Sequence, residues 1–422
     1  MGTCPDHWTR STVGSICKVV RGSSPRPIAD QRYFDCGTIP WIKIADATKS
    51  GKYLYGTRER VNDFGASFSR FLPAGSLIVA ASGTLGYTQM LGVPGCIHDG
   101  WLHLSDFVGV EKHFLYYWLK CQAEHFTNSA YGAAIQNINT AIMRESEIDL
   151  PPLDEQRRIA SILSAYDDLI ENNTRRIAIL EEMARCIYEE WFVRFRFPGH
   201  EGVPMVESEL GRVPEGWDTV RLEEVCTRIT DGSHSSPKSM PSGKPMASVK
   251  DMHDWGINRQ SCRLISEEDY DQLVRNDCKP RLNDVLIAKD GSYLKHTFVV
   301  DEETDLVVLS SIAILRPNGR LLPNQLALYL RLPDVASRMR GYVSGVAIPR
   351  IVLSDFRRFM VLLAPKPMQE AWAMRCDPML ALCRNLVRQN DRLRKTRDLL
   401  LPKLVSGELD VSALPEPEAA AA

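Results

Sequence analysis

The stretch LPPLDEQRRIASILSAYDDLIENNTRRIAILEEMARCIYEEW, Leu150–Trp191, decides the fold. After Pro151 and Pro152 it reaches Trp191 without another Pro or Gly, and Asp154 is placed to act as an N-cap. Apolar residues recur at heptad spacing. Ile159, Tyr166, Leu180 and Ile187 form one line, Ile162, Leu169 and Met183 lie beside it, and Leu163, Ile170, Ile177 and Trp191 make the other flank. A stripe of that width faces a partner helix and something more. Roughly 38 residues at about 1.5 Å each predict a rod of about 57 Å, too long for an ordinary core helix.

The same pattern returns at an offset of 213 residues (361 − 148), which carries Ile148 to Val361, Leu150 to Leu363, Pro152 to Pro365, Gln156 to Gln369, Leu180 to Leu393 and Ile187 to Leu400. Gly132-Ala133-Ala134-Ile135 returns in the same register as Gly345-Val346-Ala347-Ile348. Further upstream the offset drifts: Trp8 answers to Trp217, and Leu77–Ala80 before Gly83 to Val285–Ala288 before Gly291. The chain is therefore two copies of one unit, each a globular domain followed by a helix. The second stripe holds Met379, Leu386, Leu393, Leu400 and Leu404, and Asp377-Pro378 within it reads as a cap that restarts the helix or as a kink. Asn173 and Asn390 fall inside the stripes, either as buried amides that fix register or as exposed ones.

The globular parts read as mixed α/β. Pro40–Ile44 and Leu306–Leu309 are β-branched or aromatic runs bounded by turn formers, and helices are expected around residues 111–127 and 323–340. The expected fold is α+β, with two mixed domains joined by two long helices that pair as an antiparallel coiled coil about a pseudo-twofold axis. The simpler alternative packs each helix on its own domain. The divisions are 1–151, first domain; 152–192, first long helix; 193–215, linker; 216–365, second domain; 366–405, second long helix; and 406–422, a tail expected to fray from Pro415.

Composition narrows the function. The 422 residues are 44% apolar and 25% charged, the balance of a folded globular protein. No run has the length of a membrane span and the N-terminus lacks signal-peptide character, so a cytoplasmic location is expected. The eleven cysteines are scattered singly, without a redox or zinc doublet. Enzymatic tools are missing as well. Gly243-Lys244 has Lys238 where a phosphate-cradling loop needs its first Gly. The one Pro-Pro, Pro151-Pro152, lacks the Asp or Asn and the aromatic that flank it in adenine methyltransferases. Neither Pro5-Asp6 nor Pro333-Asp334 is followed by the acid-x-Lys element of a metal-dependent nuclease, and the nine histidines show no zinc spacing. A non-catalytic chain holding neither metal nor cofactor is expected.

Several segments carry a family resemblance: Leu150-Pro151-Pro152-Leu153 with Glu155-Gln156 and Ile159; the junction Trp191–Gly199; Gly211, Val213-Pro214 and Gly216-Trp217; and Leu400–Leu404 with Ser406–Leu409. With these the chain resembles the specificity subunits of type I restriction-modification systems over nearly its whole length. Departures occur at Pro378 and at Lys366-Pro367-Met368. The resemblance implies two target-recognition domains, each reading half of a bipartite site on double-stranded DNA, with the helices setting the gap. It implies as partners two modification methyltransferase subunits and restriction/translocase subunits, which would hold the S-adenosylmethionine, ATP and Mg. A duplicated protein-interaction scaffold, with the domains binding protein or glycan, is the alternative.

Net charge is −2, and neither domain carries a bulk excess: residues 1–150 hold 14 basic against 13 acidic residues, and residues 205–365 hold 21 against 22. DNA affinity would therefore come from local cation clusters and from partners closing around the duplex. Candidate contacts lie in loops, where cations meet phosphates and amides meet base edges. In the first domain these are Lys43, Lys49, Arg58, Arg60, Ser82 and Thr84 around Gly83, Gln136 and Asn137. In the second they are Lys250, Lys289, Ser292 beside Gly291, Lys295 and Arg350.

Overall fold

The computed structural model describes residues 5–48, 50–132, 137–291, 295–345 and 349–415. The chain divides into two units, Met1–Arg175 with Arg388–Ala422, and Arg176–Val387. Each holds one copy of the repeated domain and a length of both long helices. The chain passes between the units twice, each time inside a long helix.

In the first unit, Lys18–Arg21, Trp101–Ser105, Leu77–Ala80, Thr88–Leu91 and Tyr53–Leu54 form a five-stranded sheet in that order. Ile39–Ile42 lies between Glu59–Val61 and Gly95–Ile97 in a second sheet that ends on Arg70–Leu72. In the second unit, Cys226–Asp231, Ile312–Pro317, Val285–Ala288 and Thr297–Val299 repeat the first sheet, and Arg263–Ile265, Lys244–Ala247 and Val307–Val308 repeat the second. The central strands Leu77–Ala80 and Val285–Ala288 are buried throughout, as continuous apolar runs require.

Two constraints recur in both units. The strand Thr9–Thr12 pairs antiparallel with Glu147–Leu150, and Asp218–Arg221 with Met360–Leu363, so each domain is closed by the strand that leads into a long helix. A buried glutamine then clasps helix to domain. Gln156 Nε2 donates to the Pro151 carbonyl at 2.9 Å and the Gly109 carbonyl at 3.2 Å, and its Oε1 accepts from Glu111 N–H at 2.7 Å. Gln369 Nε2 donates to the Ala364 carbonyl at 2.8 Å and the Arg320 carbonyl at 2.9 Å, while its Oε1 is buried without a donor among the described residues.

The first long helix is Leu153–Phe192. It begins one residue before Asp154, so Asp154 is not the N-cap. Asp154 and Glu155 fall in the first turn, where carboxylates oppose the positive helix end. The second long helix, Lys366–Val405, is unbroken, so neither Asp377-Pro378 nor Pro402 restarts it. Pro378 is exposed, as is Met374 one turn before it, so the proline lies on the solvent side of the helix. Asp377 accepts a hydrogen bond from Asn324 Nδ2 at 2.8 Å instead of capping the helix.

The helices pair antiparallel within each unit. In the first, Asp167 meets Arg397 and Asn173 meets Asn390, one number falling as the other rises. In the second, Ile177 lies by Cys383, and Tyr188 lies 5.7 Å from Trp372 between ring centroids. The predicted stripes are covered: Ile159, Trp191, Leu386 and Leu404 are buried, and Ile162, Tyr166, Leu180, Ile187, Met379, Leu393 and Leu400 are half-buried. Leu169 and Met183, both from the line beside the main one, are instead 50% and 45% exposed, because a 3.6-residue helix drifts off a strict heptad. Asn173 and Asn390 are buried, with Asn173 Nδ2 donating to Asn390 Oδ1 at 3.0 Å and Asn390 Nδ2 to the Ile170 carbonyl at 3.3 Å.

The two helix-to-domain junctions differ in chemistry. In the first unit Lys52 is buried, donates to Ser164 Oγ at 2.8 Å and lies 5.3 Å from the Tyr53 ring and 5.4 Å from the Tyr117 ring. Burial pulls its pKa below the usual lysine range despite Asp168 and Asp167. In the second unit the junction is apolar and aromatic: Phe195 and Phe197 pack on Trp217 at 5.3 and 5.6 Å, and Phe192 on both Trp217 and Trp372.

Candidate functional site

At one end of each larger sheet, several loops meet on a glycine. Gly22 ends the strand Lys18–Arg21, and a Cβ there would sit 2.1 Å from the His98 carbonyl oxygen. Gly232 in the second unit is crossed as tightly, one residue earlier in the neighbouring segment, with its Cβ 2.0 Å from the Val308 carbonyl oxygen. Only glycine lets the first strand's end pass this close to the neighbouring backbone.

In the first unit Gly22 N–H donates to Trp101 O at 2.8 Å, Ala81 N–H to Gly100 O at 2.7 Å and Ile138 N–H to Ala81 O at 2.9 Å. These bonds draw the loops after Arg21 and Ala80 and the backbone at Ile138 to one place. Asp99 is at its centre: Ser24 Oγ donates to Oδ1 at 2.9 Å, Arg26 pairs with Oδ2, and Arg21 Nε donates to the carbonyl at 2.7 Å. Burial raises the Asp99 pKa, but the Ser24 hydrogen bond and the Arg26 charge outweigh it and hold the carboxyl below its usual range. His98 is held below the usual histidine range by burial.

In the second unit Lys289 N–H donates to Ser311 O at 2.8 Å, Gly291 N–H to Pro349 O at 2.9 Å, Ile351 N–H to Lys289 O at 3.1 Å and Ser310 N–H to Ser233 O at 2.9 Å. The same loops converge, with other chemistry. Lys289 Nζ is buried 2.6 Å from Asp231 Oδ2 and 3.9 Å from Asp290 Oδ1, which has no hydrogen-bond donor among the described residues.

The sequence-predicted residues fall into three sets. Ser82, Thr84 and Asn137 lie in the first cluster, and Lys289 and Arg350 in the second, where the Asp290 and Arg350 backbones pair as an isolated antiparallel β-bridge. Ser82, half-buried, Thr84 and Asn137, exposed, and Arg350, exposed, keep access to solvent, whereas Lys289 is committed to an internal ion pair. Arg60 lies in the smaller sheet, with Lys43 and Arg58 flanking its strands: Lys43 pairs with Glu59, Arg58 N–H donates to Asp46 Oδ1 at 3.3 Å, and Arg60 donates to the Thr38 carbonyl at 2.7 Å. Lys250 lies exposed in the turn whose Val249 N–H donates to Ser311 Oγ at 3.1 Å, and Lys295 is exposed. Lys49, Gln136 and Ser292 lie outside the described residues.

Sequence reasoning missed the Gly-Ser loops. Gly22-Ser23 followed by Pro25-Arg26 returns as Gly232-Ser233 followed by Pro237-Lys238, at offsets of 210 (232 − 22) and 212 (237 − 25). That recurrence was the available signal. Among the described residues no group of three or more His, Cys, Asp or Glu is placed to hold a metal. Burial raises the thiol pKa of Cys17, Cys226 and Cys376 to about 12, which leaves them poor nucleophiles at neutral pH. Among the described residues no helix is long and apolar enough to cross a membrane.

Comparison with known proteins agrees with this architecture. Residues 5–182 match the family model described as type I restriction modification DNA specificity domain. The chain is 26% identical to the MjaIX type I specificity subunit of Methanocaldococcus jannaschii, over 98% of this chain and 96% of that one. It is 20% identical to the EcoBI specificity subunit of Escherichia coli, over 96% of this chain and 86% of that one. Among solved structures, the type I restriction-modification S subunit from M. genitalium has a TM-score of 0.60 at 17% identity, covering 96% of this chain and 98% of that chain.

Proposed function

We propose that this chain, which belongs to the specificity subunits of type I restriction-modification systems, gives such a complex its DNA sequence preference, each domain reading one half of a bipartite site. One observation carries the reading: both units build the same loop cluster on the same glycine and then furnish it differently. Arg21 corresponds to Asp231, Ala81 to Lys289 and His98 to Leu309. A shared scaffold with divergent polar groups suits two readers of unlike half-sites, because phosphate contacts position the protein and groups at the base edges specify.

Like the specificity subunits it is similar to, the chain acts as a non-catalytic subunit that offers hydrogen-bonding groups to the DNA. Adenine methylation, and any cleavage, belong to partner subunits that hold S-adenosylmethionine, ATP and Mg. Two modification methyltransferases dock along the helices. The apolar residues on the helices' outer faces support this: Leu169 and Leu399 in the first unit and Ile179, Met183 and Met374 in the second are all 45% exposed or more. The half-buried Ser82 and the exposed Thr84, Asn137, Lys250, Lys295 and Arg350 are the proposed DNA contacts. Exchanging residues 216–365 for the matching domain of another specificity subunit tests the division of labour. The complex is expected to keep one half-site and change the other, and a change in both would overturn it.

A further inference from the structure

The repeat maps each long helix onto the other, so each stripe resembles the partner it needs. The first long helix of one copy therefore has, in principle, a rival partner in the first long helix of a second copy. The buried polar layers of the first unit bear on this choice. Asn173 and Asn390 form one layer, 4% and 2% exposed. Asp167 and Arg397 form another, with Asp167 5% exposed. At the 213-residue offset Asn173 maps to Leu386 and Asn390 to Ile177, and Asp167 maps to Leu380 and Arg397 to Ala184. All four images lie in the second unit; Ala184, Leu380 and Leu386 are buried and Ile177 is half-buried. Both layers are thus polar in one unit and apolar in its image.

We infer that these two layers are a pairing code that admits the first long helix only against the second and rejects the homotypic pairing of two copies. In the correct pairing amide meets amide and carboxylate meets guanidinium. With the first long helices of two copies paired, Asn173 meets Ile177 and Asp167 meets Ala184. With the second long helices paired, Asn390 meets Leu386 and Arg397 meets Leu380. Tyr117, which donates to Asp167 Oδ2 at 2.8 Å, stays with Asp167 in either case, but Arg397 loses its buried partner and both amides lose theirs. A polar residue opposed to an apolar one across a helix seam sets register and partner at some cost in stability. A fully apolar stripe would leave both pairings open, and a mispaired chain would carry two copies of one domain on one helix pair.

The test uses the full chain carrying R176K, an exposed position where an amine-reactive spacer links two first helices if they lie side by side. Isotopically heavy and light copies are unfolded together, refolded and cross-linked, and heavy–light 176-to-176 peptides are counted by mass spectrometry. They are expected to be absent with native layers and present in D167L/N173L/N390I/R397A, which gives each position the residue of its image. Heavy–light links of equal abundance in both, or their absence from a refolded quadruple variant, would overturn the proposal. A second measurement holds even if the quadruple variant does not fold. N173L is expected to lower the melting temperature and N173L/N390I to recover most of that loss; additive losses would show that the layer is not a matched pair.

Discussion

Inserting one heptad into both long helices, after Arg175 and after Val387, lengthens each passage between the units by the same amount. Seven residues add about 10.5 Å of helix and stop about 20° short of two full turns, so the stripes stay facing. The insertion points lie outside both polar layers and both glutamine clasps, so each unit keeps its own contacts. At about 3.4 Å per base pair the gap between half-sites should widen by about three base pairs with both half-sites unchanged. The assay is methylation-sensitive sequencing of DNA from cells that make the variant with its modification subunits. An unchanged gap would refute the idea that the helices set the spacing. A heptad in one helix only breaks the antiparallel register, and methylation should then be lost.

The two glutamine clasps should differ in strength. Gln156→Leu strips partners from two carbonyls and one N–H, and Gln369→Leu from two carbonyls only, so at about 1 kcal/mol per bond the costs are about 3 and about 2 kcal/mol; equal losses in denaturant unfolding would contradict this. Burial, with Lys52 and Lys112 adding to it, lowers the His113 pKa to about 4, and burial lowers those of His98 and His103. The unfolded chain therefore takes up protons first, and the first unit's stability, complete above pH of about 6.5, falls as pH drops toward about 4. His113→Gln should flatten that profile, as read by hydrogen exchange in this unit; an unaltered slope would assign the effect elsewhere. Gly22→Ala forces its Cβ against the His98 carbonyl and should unfold the loop cluster, whereas Gly109→Ala, with nothing near its Cβ and a strained φ alone, should cost about 1 kcal/mol; similar melting temperatures for the two would argue against the tight crossing.

The helical half of the fold was legible because its signal is periodic. Heptad spacing and the constant 213-residue offset located both long helices and the antiparallel partnership before any coordinates. Pro378 misled because a proline reads as a break, while its cost depends on which face it occupies, and this one lies on the solvent side. Asn173 and Asn390 were ambiguous for a similar reason: an amide's burial is decided by the residue opposite, 217 positions away in this chain.

The sheets were less legible. Their order follows from pairings between distant short strands, such as Ile39–Ile42 lying parallel to Gly95–Ile97, which no local pattern announces. In the loop clusters, charge was a poor guide. Lys289 looked like a phosphate contact and is the buried partner of Asp231, because a lysine beside a strand end is drawn inward when a carboxylate lies within reach. Gly22 and Gly232 were better markers, since a glycine kept in both copies at a strand end implies a close backbone crossing whatever the loops do.

The most direct test of the central claim is to delete this chain from cells that retain its modification partners and map methylated adenines by sequencing. The account predicts a split motif methylated only when the chain is present, with its two halves assignable to residues 1–151 and 216–365 by domain exchange. The same methylated motif with and without the chain would contradict it.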